Sequence, residues 1–335
     1  MHTVLVLGGY GFFGQRIGAA LASTPSLRVL LGGRDLGRAT AAAHAVGLPS
    51  EQAIAIDARD VNLARTLGRT QVDTLIHTAG PFQGQDYSVA RAAIEAGCHY
   101  VDLADGRQFV GSIDSLNAAA LASGVSVISG ASSVPALSSA VVDRYLGRFR
   151  RLDAIHIGIS SGARAPGLAT VKGVFSYGGR PFRFLQDGAW VDAYGWLDLR
   201  RHRFPQPLGK RWLGSCDIPD LELFPLRYPT VKTVSFQAGF ASDVGHLVVW
   251  TLAGLVKARI LPGMGAFAAP LNITWTLIAQ RNHGPHIPCG AAIALARKIA
   301  SGAKLPAGAM PCMGLLTVEE FLEPLCELDI SETVQ

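Results

Sequence analysis

Four glycines set between a short apolar run and an apolar helical face constrain this chain more than any other feature. The stretch Thr3–Leu21 reads TVLVLGGYGFFGQRIGAAL, with Gly8, Gly9, Gly11 and Gly14 following the run Val4–Leu7. Phe13, Ile17, Ala20 and Leu21 then recur at i, i+4, i+7 and i+8, the spacing of one helical face. Strand, glycine turn and helix in that order give Gly9-x-Gly11-x-x-Gly14 the context of a dinucleotide-binding turn. Gly9 is expected to allow the tight turn, Gly11 the close approach of a pyrophosphate, and Gly14 close packing of helix on strand. The phosphates would lie at the helix N-terminus, where free N–H groups and the dipole favour an anion.

The residues downstream support the same architecture. Arg28–Leu31 is a second apolar run, ending in Gly32-Gly33-Arg34. An acid is expected about twenty residues beyond the glycine motif when the ribose carries a 2′-hydroxyl. Arg34 stands there instead, and a guanidinium pairs with a 2′-phosphate, with Arg38 one turn further on. That favours NADP(H), although Asp35 could turn toward a ribose hydroxyl. Ala53–Ile56 reads as a third strand ending at Asp57, an acid placed either to contact adenine or to face solvent. Val72–His77 runs as a fourth strand into Thr78-Ala79-Gly80-Pro81-Phe82, small residues that leave room for a nicotinamide ribose. His99–Leu103 and Val125–Ser129 complete six strands. Helices are expected over Ala39–Val46, Tyr87–Gly97 and Phe109–Gly124. Strands alternating with helices predict an α/β Rossmann domain with a doubly wound parallel sheet.

The segments GGYGFFG, GGRDLGRA, HTAGPFQGQDYSVARAAIEAGCHYVDLAD and SGASSVPALSSAVVD resemble the saccharopine dehydrogenase-like oxidoreductases. The resemblance is closest to the branch holding saccharopine reductases and the trans-acting enoyl reductases of lipid synthesis, and it covers about the first 145 residues. It implies an NADP-binding domain over 1–130, to which a C-terminal segment of about 313–335 returns. It also implies an α+β domain over 131–312 with a mostly antiparallel sheet. Gly8, Gly11, Phe12, Phe13, Arg34, Arg38, Asp57, Ala79 and Gly80, with Gly9, Gly14 and Pro81 beside them, would line the cofactor. Asp102 and the Ser132–Pro135 turn would face its nicotinamide end. This chain departs from the pattern twice. Ala104-Asp105-Gly106-Arg107 stands where relatives place Gly-Glu, and Ser132 stands where they place an acid. Both departures are on the substrate side.

From Arg151 the alternation changes to strands and loops: Ala154–Ile159, Lys172–Tyr177, Trp190–Trp196 and Thr233–Phe240, with loops at Gly178–Pro181 and Arg200–Lys210. Asp102 to orient substrate, Ser133 to hydrogen-bond it and Lys172 to anchor an anion or donate a proton are the candidate catalytic residues. Lys172 reads equally well as an exposed lysine on a strand's polar face. Tyr194, Trp190 and Trp196 fit either a pocket or a core, and Asp217 with Asp220 fits a capped turn around Pro219.

With 49% hydrophobic and 16% charged residues, 335 residues can bury a large core. A net charge of +5 with scattered arginines excludes a nucleic-acid footprint. Five cysteines without a C-x-x-C pair predict neither disulfides nor zinc, and His283-x-x-His286-x-x-Cys289 is broken by prolines. No basic leader precedes Val4, so a cytoplasmic protein is expected. Residues 246–278 are nearly uncharged and read as buried helices, as the wall of a lipid-like substrate site, or as a peripheral membrane contact. Thr317 and Glu320 make a capping box. The functional expectation is an NADP(H)-dependent oxidoreductase moving hydride to a C=O, C=N or C=C group of a small-molecule or lipid-like substrate, in a possible homodimer. The alternatives are a non-catalytic NADP(H) sensor and a partner subunit acting on carrier-bound chains, which Arg200, Arg201 and Arg203 would serve.

Overall fold

The structure is a computed structural model, and it describes residues 1–160, 178–239, 250–251 and 273–335. The chain divides into two compact units. The first comprises Met1–Arg148 and Pro285–Glu327, the second Phe149–Gly284 and Leu328–Gln335.

The first unit opens with β1 (His2–Leu7), α1 (Gly14–Ala22), β2 (Leu27–Gly33), α2 (Leu36–Ala45) and β3 (Ala53–Ala55). After α3 (Leu63–Arg69) come β4 (Thr74–His77), α4 (Ser88–Glu95) and β5 (His99–Asp102). The single helix expected over Phe109–Gly124 is instead α5 (Arg107–Gly111), a 3-10 turn at Ile113–Leu116 and α6 (Asn117–Ala122). The break falls at Gly111-Ser112, where glycine lacks helix-stabilising stiffness and the Ser112 carbonyl accepts from the Ser115 hydroxyl. Next come β6 (Ser126–Ser129) and α7 (Ser138–Leu146).

In the second unit, β7 (Ala154–Ser160), β8 (Pro181–Gln186), β9 (Ala189–Tyr194), β10 (Arg200–Arg203) and β11 (Lys210–Ser215) precede α8 (Asp220–Arg227), β12 (Thr233–Gly239) and β13 (Trp275–Ala279). The chain then re-enters the first unit through α9 (Gly290–Ala300), β14 (Gly308–Pro311) and α10 (Val318–Leu322), and ends on β15 (Ile330–Val334) in the second.

Seven strands form the first unit's sheet in the order β14-β6-β5-β4-β1-β2-β3, every neighbouring pair parallel. β1 buries five of its six residues and β4 all four, as strands covered on both faces must. The strand order reverses between β1 and β4, and ligands of such sheets bind at that switch, beyond the carboxyl ends. Arg297 fixes the returning segment, donating to the carbonyl of Ala20 on α1 and pairing with Glu323, while Lys298 pairs with Glu320 at 2.7 Å. Thr317 and Glu320 form the reciprocal capping box of α10.

The second unit holds a four-stranded sheet in the order β10-β11-β12-β7 and two antiparallel pairs, β8-β9 and β13-β15. Among its described strands only β12 and β7 run parallel, so these sheets are mostly antiparallel.

The boundaries differ from those expected. Residues 131–148 and 285–312 belong to the first unit, because α7 continues from the β6 turn and β14 extends the parallel sheet. The last eight residues leave the first unit, because β15 pairs with β13. The expected loops at Gly178–Pro181 and Arg200–Lys210 contain the starts of β8, β10 and β11. β10 is all cationic side chains and histidine, so it carries no hydrophobic alternation. The expected strand Lys172–Tyr177 lies outside the described residues.

Candidate functional site

The glycine turn is built around one carbonyl. Gly8 and Gly9 donate to the Gly32 carbonyl at 2.9 Å each, and Gly11 donates to the Gly8 carbonyl at 2.8 Å. Gly8 holds φ at +89°, a left-handed conformation that favours glycine. The tight turn is therefore made at Gly8 rather than at Gly9. A β-carbon on Gly9 would meet Leu31 of β2 at 2.9 Å, so Gly9 serves the approach of turn to strand. A β-carbon on Gly11 would lie 2.9 Å from the Gly8 oxygen, and one on Gly14 would run into that same oxygen. α1 then begins at Gly14 with no side-chain cap from Phe13. Helix geometry leaves first-turn N–H groups short of intrahelical acceptors, and the Gln15 N–H among them donates to the Gly11 carbonyl at 3.1 Å. Phe12 is 39% exposed on the lip, with the Arg16 guanidinium 4.1 Å from its ring.

On one side of the switch, charge is held outward. β2 ends at Gly32-Gly33, where a β-carbon on Gly33 would run into the ring of Tyr10. Tyr10 in turn carries the Arg38 guanidinium 4.4 Å above its ring. Arg34 and Arg38 are both exposed and make no ion pair among the described residues. Asp35 has a local task, since its side chain caps α2 by accepting from the Arg38 N–H at 3.0 Å. Asp57 stands half-exposed just past β3 and accepts from the Arg59 N–H at 3.0 Å. Tyr10 was not singled out by sequence; its signal is a tyrosine inside the glycine turn opposite a glycine pair.

On the other side, polarity is held inward. Thr78 donates from its hydroxyl to the Leu7 carbonyl at 2.9 Å, tying β4 to β1. Ala79, Gly80 and Pro81 follow as a half-exposed rim. The Gln85 amide donates to the carbonyls of Ala79 at 3.0 Å and Pro81 at 2.6 Å, so one side chain shapes that rim. Beneath it His77 is 1% exposed and its Nδ1 meets the Tyr100 hydroxyl at 3.0 Å. Burial lowers the His77 pKa to about 4, keeping the ring neutral. Its Nε2 is buried with no hydrogen-bond partner.

Asp102 is turned into the fold. It is completely buried, and its Oδ1 accepts from the Ala104 N–H at 2.9 Å, the Ser129 hydroxyl at 3.0 Å and the Gly130 N–H at 2.8 Å. Burial raises its pKa to about 6 against the pull of Gly130, Ala104, Ser129 and, least, the Tyr100 hydroxyl. A carboxylate at a strand's end satisfies backbone donors that neither sheet ladder reaches, which is why it turns inward. Ser133 is half-exposed at the start of the turn after β6, and Ser132 beside it is buried. Lys172 lies outside the described residues, as does most of 246–278. Asp105, exposed on the loop after β5, accepts from the Gln83 amide at 3.0 Å.

Other sequence candidates are placed elsewhere. Trp196 is buried and Trp190 is 41% exposed, so the alternate aromatics of the second unit are not one wall. Asp220 is buried in the first turn of α8. His283 accepts from the Asp329 N–H at 2.7 Å, and Cys289 is buried with its sulfur toward the Phe13 carbonyl. Among the described residues no cluster of metal-ligating side chains occurs, and no helix is long and apolar enough to cross a membrane.

Residues 4–131 match the family model for the saccharopine dehydrogenase NADP binding domain. Among solved structures the chain is similar to saccharopine dehydrogenase (L-Glu forming) from Saccharomyces cerevisiae, at 18% identity and a TM-score of 0.55. That likeness covers 71% of this chain and 55% of the yeast enzyme, little more than half its length. It is also similar to homospermidine synthase from Legionella pneumophila, solved in complex with NAD, at 9% identity and a TM-score of 0.65. Here 100% of this chain and 91% of the other are covered. At such identities both speak for the fold. No curated protein matches the chain by sequence.

Proposed function

We infer, from a chain whose residues 4–131 match the saccharopine dehydrogenase NADP binding domain, that this protein is an NADP(H)-dependent oxidoreductase. It moves hydride to a C=O, C=N or C=C group of a small or lipid-like substrate. The nicotinamide supplies the hydride chemistry, and the protein's part is binding, orientation and exclusion of water. The glycine turn suits a pyrophosphate, because Gly8, Gly11 and Gly14 let the backbone fold tightly on itself where β-carbons would collide, at the N-terminus of α1.

The observation that carries NADP(H) rather than NAD(H) is the state of three side chains after β2. Arg34 and Arg38 are exposed, with no ion pair among the described residues, while Asp35 is engaged in capping α2. A 2′-phosphate would find two guanidiniums, one already held flat on Tyr10, and no carboxylate turned against it. Ser133, half-exposed on the turn after β6, is the candidate to hydrogen-bond substrate, and Lys172 remains the candidate anion anchor. The protein should bind NADPH at least tenfold more tightly than NADH. Arg34→Ala should remove most of that difference, weakening NADPH about 10- to 100-fold and leaving NADH nearly unchanged. Equal affinities in the unaltered protein would overturn the assignment. Hydride transfer from NADPH to a panel of imines, ketones and enoyl esters then tests turnover, and binding without any transfer would favour a sensor.

A further inference from the structure

Three titratable side chains stand together in the buried middle of the sheet. His77 ends β4, Tyr100 lies within β5, and Asp102 ends β5 directly opposite His77 in the strand register. All three are buried, and two of them keep an atom without a hydrogen-bond partner, His77 Nε2 and Asp102 Oδ2. A core gains nothing from such a row. Leucine, phenylalanine and asparagine would fill the same volume without a buried charge, and a buried ion is costly unless its surroundings compensate it.

What the carboxylate holds explains why it stands there. Its single engaged oxygen gathers donors from both sides of a gap, Ala104 just past β5 and Ser129 with Gly130 at the end of β6. The Asp102 carbonyl also accepts from the Ala131 N–H at 2.8 Å. One residue thus clasps two strand ends together, immediately before Ser132 and Ser133. With the adenine half of the cofactor on the β2 side and the pyrophosphate at α1, the nicotinamide half must extend over β4, β5 and β6.

We propose that Asp102 is a positioning residue for the nicotinamide half of the dinucleotide: as a carboxylate it clasps the ends of β5 and β6 into the shape that half requires, and on protonation it loosens them. Hydrogen bonds to a charged acceptor are roughly twice as strong as neutral ones, so gaining a proton weakens three bonds at once. The groups around it are His77 from β4, Tyr100 from β5, Tyr87 ahead of α4 and Cys312 after β14. Burial keeps each of them uncharged at neutral pH, raising the tyrosines and the thiol and lowering the histidine. Asp102 is the one group of this cluster that changes charge near pH 6.

This inference rests on the NADP(H) reading, and the test separates the two. Dissociation constants for NADPH and for 2′-phospho-ADP-ribose, which keeps the pyrophosphate and both riboses but lacks the nicotinamide ring, are measured from pH 5 to 8. Titration of the 2′-phosphate affects both ligands and cancels in their ratio. The NADPH advantage should shrink about tenfold on passing from pH 7.5 to 5, with its midpoint near 6. Asp102→Asn keeps an acceptor oxygen but cannot ionise. It should show the reduced, acid-like advantage at every pH, with 2′-phospho-ADP-ribose affinity unchanged. Ser129→Ala, which removes one donor, should narrow the advantage severalfold while keeping the pH dependence. A ratio that stays flat with pH in the unaltered protein, or an Asp102→Asn protein that retains the full advantage, overturns the proposal. Failure of the unaltered protein to bind either ligand instead overturns the NADP(H) reading.

Discussion

The two halves of the parallel sheet, on either side of the switch between β1 and β4, handle polarity in opposite ways. On the β1–β3 side the titratable groups of the site are exposed and turned outward, Arg34 free-standing in solvent and Arg38 over the ring of Tyr10. On the β4–β6 side they are interior, with His77, Tyr100 and Asp102 together under the rim. The first arrangement recognises a ligand by touching its charge. The second shapes backbone, and the backbone does the recognising. The difference matches the two ends of a nicotinamide dinucleotide, one bearing a fixed phosphate and the other a ring that must be placed to within a fraction of an ångström for hydride transfer.

The sharpest way to break the comparison is to collapse the turn both halves share. Gly14→Val drives a side chain into the Gly8 carbonyl. It should cost about 3 kcal/mol or more and abolish binding of NADPH and 2′-phospho-ADP-ribose alike. Denaturant melts with paired ligand titrations check it, and binding of either ligand at unaltered affinity would show that the turn can open independently.

Next in size is the buried half alone. A carboxyl whose folded pKa is raised to about 6 stabilises the fold below its unfolded value, and that contribution is lost as pH rises through 6. His77 runs the other way. Its folded pKa of about 4 gives stability that is complete above 6.5 and lost as pH falls through 4. Between 4 and 6 the two slopes oppose each other. Asp102→Asn should therefore raise stability by roughly 2–3 kcal/mol at pH 8 relative to pH 4. Urea melts at several pH values read this directly. A variant that is less stable than the parent at pH 8 would mean that the three hydrogen bonds to the carboxylate outweigh the cost of burying it.

The exposed half should respond without any such stability change. Arg38→Ala removes a solvent-facing guanidinium that touches only Tyr10, so stability should shift by at most about 0.5–1 kcal/mol. NADPH affinity should nevertheless fall several-fold, measurable by fluorescence titration. The smallest effect lies outside both halves. Thr317→Ala removes the side chain that caps α10 and should cost about 1 kcal/mol with no change in either ligand's affinity.

Legibility in the sequence followed the same division. The outward half was readable because its logic is local: Gly8–Gly14 and Arg34 are fixed by spacing along the chain. The exception is Gly8, whose left-handed φ a spacing rule centred on Gly9 does not reveal. The inward half was readable only in part. Asp102 could be picked out as an acid ending a strand, but its burial depends on Ser129 and Gly130, which approach only when β6 aligns beside β5. His77 and Tyr100 went unremarked, although a histidine ending TLIH and a tyrosine inside HYVD, both in strands expected to be buried, are the visible sign. β14 was missed because Gly-Ala-Met-Pro has no strand signature. It is a strand because β6 offers it a free edge, and its proline is tolerated there because the edge needs no donor on that side.

That last strand has a consequence for synthesis. A chain emerging from the ribosome completes β1 to β6 within its first 129 residues, yet β14 pairs with β6 only after residue 311 has been made. For the time needed to translate the intervening 178 residues, the edge of β6 is an open row of backbone donors and acceptors. The second unit must be synthesised, and can begin folding, while the first stands incomplete. A fragment cut at the end of α7 would carry that unguarded edge permanently, and an intact chain carries it only in transit.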